Sequence, residues 1–149
     1  MVDKSAQGGD DPSIPDNDRL LRRLSDSGPN MVAVDTVTHD RRPTSGAFKP
    51  DEDGVSVYRE SVLSTSGLGA ADVVRAPMNL VVSLEVADAR AITPLGVRND
   101  PWPSDIPEPD HLRNAAHALI VGWDGLSTGE RRRRQQKLTK APSLRFIYP

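Results

Sequence analysis

Apolar residues gather in four runs, 31–37, 55–63, 80–86 and 115–123, separated by polar stretches rich in proline and glycine. In the third run Leu80, Val82, Leu84 and Val86 alternate with Val81, Ser83 and Glu85, and that period predicts a half-buried strand over 79–86. Residues 115–123 read AAHALIVGW, apolar on both faces, and predict a central strand covered on two sides. Residues 31–38 are rich in β-branched side chains and predict another strand. The Asp53-Gly54 turn feeds a further one through Val55, Val57 and Tyr58. Leu144, Phe146 and Tyr148 mark a short last strand.

Helix signals are fewer. Asp16 or Asp18 can cap a short helix running to Leu24, with Leu20, Leu21 and Leu24 on one face and Arg19, Arg22 and Arg23 on the other. A strand is the competing reading of so short a segment. Gly28-Pro29 ends it. Residues 70–75 and 87–91 suit one or two helical turns. Ser127-Thr128-Gly129-Glu130 has the form of a capping box, so a helix is expected from there to about Lys140, stopped by Pro142. Residues 39–43 read as a polar connection and 100–110, with its prolines, as a loop whose Trp102 folds onto the body as a lid. Residues 1–15 carry the composition of a disordered tail. The expectation is one small α+β domain over 16–149, with a mixed or mainly antiparallel sheet of four to five strands and two to three short helices.

Composition narrows the functional classes. No cysteine is present, which removes disulfide scaffolds, thiol nucleophiles and thiolate metal sites and suits a reducing cytoplasm. No run approaches the roughly 20 apolar residues of a membrane span, and the acidic N-terminal stretch lacks the apolar core of a signal peptide. The expected setting is therefore cytoplasmic, without a membrane partner. Residues 130–149 carry a net charge of +6 within a chain of −2, which leaves −8 on the remainder. Such a split suits either a polyanion or an acidic protein surface, the chain's own included.

Candidate chemistry is thin. His39, His111 and His117 have no metal-ligand spacing, and neither a nucleophile elbow nor a phosphate loop occurs, so no cofactor and no metal are expected. His117 interrupts an apolar strand, and a buried neutral imidazole with one backbone partner is favoured over a catalytic one. Asp51-Glu52-Asp53-Gly54 lacks the spacing of a calcium loop and reads as a solvated acidic turn. Arg131, Arg132, Arg133 and Arg134, with Lys137, point nearly all round a helix; they are expected to be exposed, as a solvated face or as a diffuse attractor of phosphates.

The stretches LLRR at 20–23, RRPTSGAF at 41–48, DGVSVY at 53–58 and AHALIVG at 116–122 resemble a group of short bacterial proteins with the pattern RPSSxAF, then DGxSVY, then AHAxVxG. The resemblance spans roughly residues 19–147. It carries no established activity, but implies that Ser45, Phe48, Ser56, Tyr58 and His117 belong to one conformational unit. The reading that fits best is a small bacterial accessory protein that binds a protein partner. A second is a small enzyme acting on a nucleotide or NAD-like ligand, with Arg42 on phosphate, Tyr58 or His117 on ribose, and Ser45 beside them. A third is nucleic-acid binding through residues 131–140.

Overall fold

The computed structural model describes residues 9–25, 30–101 and 110–149, the side chains of 110–112 excepted. The expected end of the first element at Gly28-Pro29, the Trp102 lid, the side chain of His111 and the first eight residues of the tail lie outside these.

The chain is α+β. Its main sheet has six antiparallel strands, one or two more than expected, in the spatial order 96–99, 117–121, 55–59, 19–24, 80–85 and 145–148. In chain order the sheet strands are β1 (Arg19–Leu24), β4 (Val55–Arg59), β5 (Leu80–Glu85), β6 (Gly96–Asn99), β7 (His117–Val121) and β8 (Arg145–Tyr148). A separate two-stranded ribbon pairs β2 (Val32–Val34) with β3 (Arg41–Pro43). The helices are α1 (Glu60–Thr65), α2 (Val86–Arg90), α3 (Asp110–Ala115) and α4 (Thr128–Thr139), with 3-10 turns at Ser45–Phe48 and Ala70–Asp72.

The sheet is covered on both faces. One face carries Leu20, Leu24, Val55, Val57, Val82, Leu84 and Ile120, packed under Phe48, Ala89, Trp123 and Leu138. The other carries Leu21, Tyr58 and Val81 under Leu63 and Val73. This double cover corrects two expectations. Residues 19–24 form a strand, not a helix: their leucines serve opposite faces, as period two requires, and pairing with both β4 and β5 replaces the hydrogen bonds of a helix. Strand β5 is buried on both faces, Val81 and Ser83 included, and so is more enclosed than its alternation implies. The strand expected over 31–38 shrinks to Val32–Val34, and part of the supposed connection, Arg41–Pro43, is its partner.

The acidic segment from residue 9 to 15, read as tail, is packed into the body. Ile14 is fully buried. Arg90 organises the segment: its guanidinium meets Asp10 (3.0 Å) and Asp16 (2.7 Å) and donates to the carbonyls of Asp11 and Ile14. The Asp10 carboxylate also accepts from the Val97 amide, which blunts the open edge of β6.

Candidate functional site

Arg22 joins three of the stretches singled out in the sequence. It projects from β1 and donates to the carbonyls of Ala47 (3.0 Å) and Ser56 (2.9 Å). Burial pushes its pKa down to about 10, with Arg23 beside it adding to the effect and Asp51 opposing it, so it remains charged at neutral pH. Ser56 pairs in turn with Leu119 of β7. A Cβ on Gly46 would collide with the Asn30 carbonyl, so the SGAF turn seats against the start of the ribbon only with glycine there. These residues pack together, with Arg22 as the donor to one carbonyl of the 3-10 turn and one of β4.

Tyr58 and His117 meet across the β4–β7 ladder, edge to face, with ring centroids 5.6 Å apart. His117 is 1% exposed and Tyr58 2%, so neither ring reaches solvent. His117 Nδ1 lies 2.9 Å from the Asp100 carbonyl and 3.2 Å from its carboxylate. A carbonyl only accepts, so Nδ1 carries the proton. Burial pulls the imidazole below its ordinary pKa and outweighs Asp100, which pulls the other way. The buried, backbone-bonded histidine expected from the sequence has the Asp100 carboxylate as a further partner.

One arginine missed as a site residue, Arg23, lies against this pair, with Arg113 near it. Arg23 lies over the Tyr58 ring, 5.2 Å from its centroid, and donates to the Val73 carbonyl; Arg113 donates to that of Asp72. Burial lowers the Arg23 pKa, and the charges of Arg113 and Arg75 add to the effect. The signal for Arg23 was present in the period-two reading of 19–24, which puts it on the face of Tyr58.

The four residues of the enzyme reading do not converge. Ser45 opens the turn that packs against α4, where its carbonyl accepts from Gln135 (2.8 Å), on the face opposite Tyr58 and His117. Arg42 is exposed on the ribbon. A groove of about 590 Å³ lies between the Asp51–Gly54 turn, the end of β7 and the start of α4. Asp53, Asp124, Arg98 and Arg131 line it, and none of Arg42, Ser45, Tyr58 or His117 does.

The basic helix α4 is not a uniformly solvated face. Gln135 and Leu138 are buried, and positions 131, 134, 135 and 138 share one side of a helix. Arg131 and Arg134 are accordingly half-buried; Arg134 donates to the Thr93 carbonyl (3.1 Å) and to that of Glu130 (3.0 Å). Arg132, Arg133 and Lys137 are exposed, as expected.

The large apolar side chains that the described residues expose are Val34 (54%), Val37 (84%) and Tyr148 (36%). Val34 and Val37 belong to the ribbon and its tip, Tyr148 to β8. Arg41 joins the two elements: it pairs with Val34, stacks on the Phe146 ring at 4.6 Å, and donates to the Pro149 carbonyl at 2.8 Å. The base of the ribbon is anchored by buried Val32, while its tip is held in shape by Asp35, whose carboxylate accepts from the amides of Val37 and Thr38.

No protein-family model, curated protein or solved structure matches the chain. Among the described residues no helix is long and apolar enough to cross a membrane.

Proposed function

We propose that the protein works by binding a protein partner through the β2–β3 ribbon and the adjoining strand β8. One observation carries this reading: Val34, Val37 and Tyr148 stand on these two linked elements while the other large apolar residues described are at least partly covered. A valine at 84% exposure on a tip shaped by its own aspartate gains nothing for folding and suits contact with another surface. The lack of cysteine suits a reducing, cytoplasmic setting. The enzyme reading has less support, because Tyr58 and His117 are walled in and Ser45 lies across the sheet from them.

Affinity capture from lysate of the protein's own cells, compared between the unmodified chain and a Val34→Asp, Val37→Asp variant, tests the reading. The variant is expected to keep its thermal midpoint and lose the captured partner. A partner retained in full by a folded variant overturns the proposal.

A further inference from the structure

Strand β8 ends the main sheet, and β5 is its one strand partner among the described residues. Among the described residues no backbone group bonds to its outer edge, whose N–H and C=O groups are thus placed to extend the sheet, the feature that peptide-binding sheets exploit. The other edge strand, β6, is treated differently: the Asp11 amide donates to the Val97 carbonyl and Asp10 accepts from the Val97 amide. One edge is covered by the chain itself and the other is left beside the exposed apolar ribbon.

The charges around β8 have one dominant sign. Arg145 on β8 and Arg41 and Arg42 on the ribbon are exposed. Two acids stand at the ribbon tip: Asp35, whose carboxylate is occupied by its own turn amides, and Asp40, exposed beside Arg41 and outnumbered by the three arginines; Asp88 is bound to Ser143, ahead of β8. A basic rim on a chain of net charge −2 is a local feature that selects against basic partners.

The geometry points to an extended acidic segment of the partner, added as a strand on the outer edge of β8, its carboxylates on the Ser83 side meeting Arg145 and its alternate, apolar side chains on the other face meeting Val34, Phe146 and Tyr148, with Arg41 at the rim between ribbon and strand. This rests on the binding surface proposed above and adds the chemistry and conformation of what occupies it. Main-chain bonds supply affinity on such an edge, and alternate side chains supply selectivity.

The test uses the full chain and two synthetic peptides of about ten residues, alternating Glu with Val or Lys with Val. Labelled peptide anisotropy at low salt is expected to favour the glutamate peptide by at least about tenfold. Amide shifts should concentrate on β8 and the ribbon, and Arg41→Glu with Arg145→Glu should reverse the preference. If the double variant melts early, Arg145→Glu alone should still abolish the preference. Equal affinity for both peptides, binding of neither, or shifts centred elsewhere overturns the inference. So does a dimer in sedimentation that Arg145→Glu dissolves, since the occupant is then a second copy. A captured partner lost by the Val34→Asp, Val37→Asp variant but indifferent to charge reversal leaves the binding surface standing and removes only the acidic strand.

Discussion

His117 stands opposite Tyr58 in the β4–β7 register, its protonated Nδ1 turned to Asp100 and its ring edge-on to the tyrosine. Burial favours the neutral imidazole in the folded state, so its folded pKa lies below the ordinary value of about 6.5. Above that value both states are neutral and the group has no effect on pH dependence. As pH falls through it, the unfolded chain takes up the proton first and stability drops, until the folded pKa is passed. Urea unfolding at pH 7.5 and 5.5 should therefore show a loss on acidification. His117→Asn should shrink that loss, and an unchanged loss in the variant would place its origin elsewhere.

Asp18 holds the start of β1 to the β4–α1 junction. Its side chain is 3% exposed and accepts from Arg59 Nε (2.8 Å), Ser61 Oγ (2.7 Å) and the amides of Arg19 and Ser61. Burial alone would raise its pKa; the bonds from Ser61, Arg59 and Arg19 together outweigh that and lower it. Its stabilisation is present at neutral pH and lost as pH falls through the folded pKa, below the ordinary carboxylate value. Asp18→Ala leaves four donors unanswered and should cost about 3 kcal/mol in urea unfolding. Asp18→Asn, which keeps the shape and some acceptance, should cost less.

Local signals in the sequence translated well into structure, and non-local ones did not. Ser127 and Glu130 need only each other: Ser127 Oγ accepts from the Glu130 amide and Glu130 accepts from the Ser127 amide, as the four-residue pattern implied. The strands at 80–85 and 117–121 were likewise legible from their local apolar runs, although β5 is buried on both faces. Residues 19–24 failed because LLRR fits a helical face as well as two faces of a sheet, and the choice belongs to β4 and β5. Residues 10–15 read as tail because Arg90, whose guanidinium gathers them, is more than seventy positions away. The candidate set fell apart for the same reason: only Tyr58 and His117 share a ladder, and nothing in the spacing of Arg42 or Ser45 records which face of the sheet each reaches.

Ile120 tests the double cover directly. It is fully buried in the larger core, opposite Val55 on one side and Val97 on the other. Ile120→Ala should cost about 2–4 kcal/mol, with a midpoint shift in urea and little change of slope. A loss below about 1 kcal/mol would mean that the neighbouring strands collapse into the space or that the strand is less enclosed than its burial states.

Helix α4 separates structural from solvated arginines within a run of four. Arg134 satisfies the carbonyls of Thr93 and Glu130, whereas Arg132 and Arg133 are exposed. Arg132→Gln with Arg133→Gln should leave stability within about 0.5 kcal/mol. Arg134→Gln should cost more, on the order of 1 kcal/mol, because two carbonyl contacts lose a charged donor. Ser127→Ala, which removes the acceptor of the Glu130 amide, should cost about 1 kcal/mol. The same variants decide the polyanion reading. Binding to random duplex DNA that weakens steeply with salt, and whose salt slope falls by about two when Arg132 and Arg133 are replaced, would establish α4 as a phosphate-binding helix. The expected result is weak binding and no change of slope, because the half-buried Arg131 and Arg134 leave Arg132, Arg133 and Lys137 as the fully exposed cations on this helix and they spread over more than one side of it.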